Sequence, residues 1–115
     1  YPELRSIALK TFGLLDPIRD ALQPHAGQIE EAFVFGSVAK GTDTEKSDID
    51  VMVIGTVPPL QLFEAANQLQ HTLGRTVQFN AYEPAEWREL LQNDPVVAQI
   101  ANGPQLQVMS HAKAH

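Results

Sequence analysis

The feature that most constrains the fold is the stretch from Phe33 to Ile54, which joins two apolar runs through a polar connection. The first run ends at Phe35 and the second covers residues 49–54, and both contain several β-branched or aromatic residues. Short apolar runs of this kind are typical of strands buried within a sheet. The polar residues of interest between and within them are Gly36, Ser37, Lys40, Gly41, Ser47, Asp48 and Asp50. The stretch therefore predicts two strands whose connection carries a cluster of polar groups.

Length and composition limit the class of protein. A chain of 115 residues can build one compact domain with its own core, so we expect a single domain over residues 1–115. The net charge of −6 argues against a broad nucleic-acid surface, which needs clustered lysine and arginine. The chain has no cysteine, which excludes disulfides and thiolate metal sites. Because no apolar run is long enough to span a membrane and no secretory pattern is present, we expect a cytoplasmic protein without a membrane partner.

Apolar periodicity and turn residues predict nine elements. A first helix is predicted before Gly13, and a second from about Asp16 to Gln23, where Asp16 and Pro17 match an N-cap and a first helical position. Then follow strands at 29–35 and 49–54, a helix from Pro58 to Leu73, a strand at 76–82, helices starting at Pro84 and at Asp94, and a short strand near Leu106 and Val108. Residues 110–115 are predicted to be frayed. The fold class is α/β (α+β), with a mixed sheet of about four strands packed against helices.

Period-two alternation predicts which side chains share a face of the sheet. On the second strand, one face carries Ile49, Val51 and Val53, and the other carries Asp48, Asp50, Met52 and Ile54. On the third strand, one face carries Val77, Phe79 and Ala81, and the other carries Gln78, Asn80 and Tyr82. Both carboxylates of the second strand are therefore expected to point the same way.

The polar connection has the chemistry to hold a nucleotide. Glycine directly after a strand lets backbone N–H groups approach a ligand closely, and Ser37 adds a hydroxyl donor. If residues 38–40 start a helix, its first N–H groups and dipole favour a phosphate, and Lys40 adds a positive charge. Asp48 and Asp50 offer the hard oxygen ligands of Mg²⁺, whose other ligands would be water and substrate phosphate. The combination predicts phosphoryl or nucleotidyl transfer.

The joint pattern is more specific than its parts, each of which taken alone is more often a plain turn, a strand-end charge or a solvated lysine. G-S-x-A-K-G, a polar spacer and S-D-I-D before an apolar strand resemble the signature of the minimal nucleotidyltransferases of the DNA polymerase β-like superfamily. The resemblance implies that Gly36 and Ser37 hold the triphosphate, together with Lys40 and Ser47 as candidate phosphate-binding residues. It also implies that Asp48 and Asp50 are the catalytic residues that bind Mg²⁺ or Mn²⁺.

The flanking sequence extends the resemblance to most of the chain. KTFGLLDPIRDAL near the start and GRTVQFNAYEPAEW later are similar to a bacterial subgroup in which a winged helix-turn-helix precedes the nucleotidyltransferase domain. The chain begins at Tyr1, without a methionine, and a helical pattern of apolar residues starts almost at once. We therefore expect a fragment of a longer protein, in which DNA would be contacted only through a domain missing from this chain.

One departure from the family pattern divides the functional hypotheses. Active members commonly supply a third carboxylate from the neighbouring strand, and here that position is occupied by Gln78, an amide that cannot act as a general base near neutral pH. Glu83, just beyond that strand, is a weak substitute. The first hypothesis is a metal-dependent enzyme that transfers AMP from Mg-ATP to a protein or small-molecule hydroxyl. The second is a catalytically weak nucleotide-binding module of a transcription regulator. The acceptor, the base preference and the oligomeric state stay open.

Two further residues have structural interpretations. Trp87 lies on the apolar stripe of a predicted helix and is expected in the core rather than in a stacking platform. Arg75, at the start of the third strand, is expected at the surface, with contact to a phosphate as the alternative.

Overall fold

Four strands form one mixed sheet in the computed structural model, which describes residues 13–44 and 46–110. The strands are β1 (Ile29–Phe35), β2 (Ile49–Gly55), β3 (Val77–Tyr82) and β4 (Leu106–Ser110), in the spatial order β3-β2-β1-β4. Strand β1 pairs antiparallel with both β2 and β4, whereas β2 pairs in parallel with β3. The four strands and the mixed sheet are as predicted, except that Ser110 belongs to β4 rather than to a frayed tail. The rest of that tail lies outside the described residues.

The helices that follow the strands begin and end close to where the sequence predicts. They are α2 (Ser37–Lys40), α3 (Pro59–Leu73), α4 (Pro84–Asn93) and α5 (Pro95–Asn102). Gly74, at φ +69°, ends α3 in the left-handed conformation that glycine adopts at low cost. The Asp94 side chain accepts hydrogen bonds from the backbone N–H groups of Val96 and Val97, which confirms Asp94 as the N-cap of α5.

The predicted boundaries near the start of the described chain are wrong. Residues 13–22 are helical (α1) and continue into a 3₁₀ helix, Gln23–Gln28, so Gly13 is itself helical and Asp16 lies within the helix rather than at its start. Three buried residues spaced three and four apart, Leu15, Ile18 and Leu22, hold the helix against the sheet. Their burial outweighs the modest helix penalty of an exposed glycine, about 1 kcal/mol. The helix predicted before Gly13 falls on residues outside the described part.

Helices cover both faces of the sheet and divide the core in two. On one face, α1, α3 and the buried residues Ile49, Val51 and Val53 of β2 belong to the larger cluster. On the other face, Met52 and Ile54 of β2 pack with Phe33, with Trp87 of α4 and with Val97 of α5. The alternation predicted for β2 is therefore confirmed. Because β1 and β2 are enclosed on both sides, side chains where β1 ends and β2 begins are held by a rigid scaffold.

Trp87 lies in the smaller core. Its ring centroid is 6.2 Å from that of Phe33 and 5.9 Å from that of Tyr82, distances at which aromatic rings attract one another. The sequence prediction of a core role for this residue is confirmed. None of the helices within the described residues is both long and apolar enough to cross a lipid bilayer.

Candidate active site

The turn after β1 brings backbone and carboxylate into close contact. Gly36 has φ +74° and ψ −149°, a conformation that is open essentially to glycine alone. A Cβ atom on Gly36 would stand 2.6 Å from Oδ2 of Asp50. The carbonyl of Gly36 accepts a hydrogen bond from the N–H of Lys40, which closes the single turn of α2. Glycine is therefore required at this position both for the backbone conformation and for the approach of the Asp50 carboxylate.

The two aspartates lie where β2 begins. Asp48 directly precedes the strand and is exposed, whereas Asp50 is its second residue and is half-buried. In the register of the sheet, Asp50 is level with Phe35 of β1 and with Gln78 of β3. The structure thus places the Gly36 turn, Asp50 and Gln78 side by side on neighbouring strands, with Asp48 two residues from Asp50 on the same face.

The carboxyl group of Asp50 resists ionisation. Burial raises its pKa above the ordinary value of 3.8, and the negative charge of Asp48 raises it further. A carboxyl with a raised pKa holds its proton more tightly in the folded chain than in the unfolded one. Its contribution to stability is therefore complete below pH 3.8 and is lost as the pH rises through the folded-state pKa. At neutral pH, the ionised pair destabilises the fold unless a cation balances it.

Gln78 contacts the aspartate pair as a neutral group. Its side-chain Nε2 donates a hydrogen bond to Oδ2 of Asp48 over 3.2 Å. No group of three or more histidine, cysteine or acidic residues suited to a metal ion occurs within residues 13–44 and 46–110. Glu83 cannot complete such a group, because it follows the far end of β3, five residues and so about 16 Å of strand beyond Gln78. The idea that Glu83 substitutes for a third carboxylate is therefore wrong.

Arg75 is buried, and the expectation that it lies at the surface is wrong. Its Nε and Nη2 atoms donate hydrogen bonds to the carbonyl oxygen of Ser47 over 3.0 and 2.9 Å. Its Nη1 atom lies 3.0 Å from Oδ2 of Asp43 without the alignment of a hydrogen bond, and both side chains are almost inaccessible. Arg75 thus ties the loop before β2 to the start of β3. Because Ser47 directly precedes Asp48, this clamp also holds the backbone next to the exposed Asp48.

The remaining candidate residues lie on the two ends of the connection. The Ser47 hydroxyl accepts a hydrogen bond from the backbone N–H of Thr44 over 2.9 Å, so it stabilises the loop in this conformation. Lys40 ends α2 and is exposed, and Gly41 follows it at φ +75°. The geometry brings Gly36, Asp48 and Asp50 together, while the roles of Ser37, Lys40 and Ser47 in phosphate binding stay predictions.

The sequence of this chain matches one protein family over residues 17–97. The family is described as Polymerase beta, Nucleotidyltransferase. The match includes the Gly36 turn, both aspartates and the strand that carries Gln78. No curated protein matches the chain in overall sequence.

Several solved structures share the fold at low sequence identity. A toxin–antitoxin complex with AMP-PNP contains a chain with a TM-score of 0.63 and 22% identity, over 84% of this chain and 73% of that one. A complex of a tri-AMPylated HEPN toxin with an MNT antitoxin from Shewanella oneidensis gives a TM-score of 0.58 and 19% identity, over 87% and 72% of the two chains. A MntA–HepT toxin–antitoxin complex gives 0.56 and 19%, over 84% and 70%. At these identities the likeness establishes the fold.

Proposed function

Because this chain belongs to the polymerase β nucleotidyltransferase family, we propose that it transfers AMP from Mg-ATP to a hydroxyl group of a protein or a small molecule. The observation that carries the proposal is the contact between the Gly36 turn and the Asp50 carboxylate. A backbone suited to phosphate and a ligand suited to Mg²⁺ are adjacent there. The similar complexes described with AMP-PNP and with an AMPylated toxin favour ATP as the nucleotide and a protein as the acceptor.

The donor atoms at the start of β2 fit a magnesium or manganese ion. Mg²⁺ in nucleotide sites is commonly held by one or two carboxylates and by substrate phosphates, with water in the other positions. Asp48 and Asp50 supply two such carboxylates, and both burial and the neighbouring charge of Asp48 raise the pKa of Asp50. The bound cation would neutralise charge that develops on the phosphate oxygens.

In the proposed reaction, the main role of the protein is to position the nucleotide and the acceptor. The acceptor oxygen forms a bond to the α-phosphorus, the bond from that phosphorus to the bridging oxygen breaks, and pyrophosphate leaves. Gly36 and Ser37 would hold the phosphates, and Asp48 and Asp50 would orient them through the metal. Gln78 cannot take the proton of the acceptor hydroxyl, so the proton passes to solvent. We therefore expect turnover to be slow.

Gln78 also supports a second candidate function, in which the site binds a nucleotide without transferring it. The amide occupies the position level with Asp50 and hydrogen-bonds Asp48, so it preserves the geometry while adding no charge. Such a site would bind Mg-ATP and pass on its occupancy as a regulatory signal, for example to an attached DNA-binding domain of a transcription regulator.

Label transfer separates the two candidates. The protein is incubated with ATP labelled at the α-phosphate, with Mg²⁺ or Mn²⁺ and with cell extract, beside an Asp48→Asn, Asp50→Asn double variant. Label that appears on an acceptor only with the intact aspartates supports transfer. Binding of Mg-ATP by calorimetry without any transfer supports the regulatory function, and loss of both activities refutes both proposals.

A further inference from the structure

An open cavity lies against the Gly36 turn, on the same face of the sheet as the aspartates. Its volume is about 310 Å³, which is at the lower end of the range of small-molecule pockets. Its apolar wall is formed by Phe35, Val96, Ile100 and Pro104, and Lys40 and Gln99 lie at its polar edge. Gly36 lines it as well. A flat apolar group with polar edges would fit such a lining.

The cavity is continuous with the candidate active site. Phe35, in its wall, is the cross-strand neighbour of Asp50 in the β1–β2 register, so their side chains stand about 5 Å apart on one face. Gly36 contributes to the cavity and also approaches Oδ2 of Asp50. If the phosphates of a nucleotide are bound at the Gly36 turn, the adjoining part of the nucleotide can therefore enter the cavity.

The apolar side chain of Val96, beside the cavity, is not buried in the core. Val96 is 64% exposed although it lies one position before the buried Val97 on α5. A second cavity, of about 410 Å³, lies between α1 and α3, but it is on the opposite face of the sheet and has no access to the aspartates. The cavity at Val96 combines an apolar wall with direct contact to the Gly36 turn.

We infer that this cavity is the nucleobase site of the nucleoside triphosphate. The base would lie against Phe35 and Val96, where burial of apolar surface and contact with an aromatic ring stabilise a planar heterocycle. The amide of Gln99, a donor and an acceptor, would meet the polar edge of the base. Lys40 would face the sugar–phosphate part. The inference rests on the proposed function for its ligand and adds the base-binding residues.

Three probes test the inference by calorimetry: Mg-ATP, Mg-tripolyphosphate, which has no base, and adenosine, which has no phosphate. Val96→Ser is compared with Leu60→Ser, a matched change at an apolar residue of α3 that is 66% exposed. Val96→Ser should weaken the binding of Mg-ATP and of adenosine about threefold to tenfold, since about two methyl groups leave the contact. It should leave the affinity for tripolyphosphate unchanged, and Leu60→Ser should change the affinity for none of the three probes.

The outcomes separate this inference from the proposed function. If tripolyphosphate binds as tightly as Mg-ATP in an aspartate-dependent way, or if Val96→Ser weakens neither nucleoside probe, the base site is refuted while the phosphate site stands. If adenosine binding depends on Val96 but no phosphate probe needs Asp48 and Asp50, the proposed function fails and the base site stands. Absence of binding by all three probes refutes both.

Discussion

Replacing Gly36 with alanine tests the contact on which the candidate site depends. Two costs arise from the structure. Alanine would have to adopt φ +74° and ψ −149°, a region that costs a residue with a Cβ about 1–3 kcal/mol. Its Cβ would also stand 2.6 Å from Oδ2 of Asp50, so the carboxylate must rotate away, which costs about 0.5–1.5 kcal/mol for an off-rotamer side chain. The free energy of unfolding should fall by about 1.5–4.5 kcal/mol.

Gly41→Ala is the matched control. Gly41 also has a positive φ, +75°, but ψ is 18° and no atom lies within 4 Å of the position of its Cβ. Only the left-handed conformation is penalised there, by about 1–2 kcal/mol. Urea unfolding of both variants at neutral pH gives the comparison, and in thermal unfolding the difference should appear as several degrees.

A double-variant cycle isolates the steric part. Adding Asp50→Ala to Gly36→Ala removes the atom that the new Cβ meets, so about 1 kcal/mol should be recovered as a coupling energy, while the backbone cost remains. The variant with Gly36→Ala alone should also bind Mg-ATP more weakly, because its carboxylate is displaced. Equal losses of stability for Gly36→Ala and Gly41→Ala, together with zero coupling to Asp50, would refute the close contact of turn and carboxylate.

Three further variants test the ionisation of Asp50, the ion pair of Arg75 and the role of position 78 in the proposed reaction. Asp50→Asn should raise the melting temperature at pH 7 without divalent cations, because the ionised carboxylate is destabilising there, and the gain should vanish below pH 3.8; Asp20→Asn, at an exposed position, controls for net charge. Arg75→Ala should lower the free energy of unfolding by about 3–5 kcal/mol, since it leaves a buried carboxylate without its cation. In the same urea titration, Arg88→Ala, which breaks an ion pair exposed to solvent, should cost less than about 1 kcal/mol. Gln78→Asp should raise metal-dependent label transfer while lowering metal-free stability, and a variant that gains stability and no activity would contradict the proposed role of that position.

Local chemistry was sufficient to predict most of the scaffold. The helix boundaries at Gly74, Pro84 and Asp94 depend on residues that act within one turn of themselves, so they can be recognised without tertiary information. The two faces of β2 follow from alternation alone, and that alternation also places Asp48 and Asp50 together. The same local signals failed at Gly13 and Asp16, where the burial of one face of α1 against the sheet overrides them.

Arg75 shows what sequence patterns could not provide. Its position after Gly74 is typical of a loop, and charged loop residues are usually exposed. Its burial results from the parallel pairing of β2 and β3, in which Ile49 is level with Val77. Extending that register by two residues puts Arg75 level with Ser47, whose carbonyl it binds. The signal is therefore present in the sequence, but it can be used only after the strand pairing is known.

Charge balance predicts how the residue at position 78 would affect metal binding in the candidate site. Asp48 and Asp50 carry two negative charges, which one divalent cation can neutralise, and Gln78 adds none. A third carboxylate beside them would leave a net negative charge around a single cation and so require a second one. With Gln78 in place, the site should bind one Mn²⁺ per chain in a spectroscopic titration, and Gln78→Asp should raise the number to two. An unchanged stoichiometry would mean that position 78 does not control the number of metal ions, and would refute the charge-balance argument.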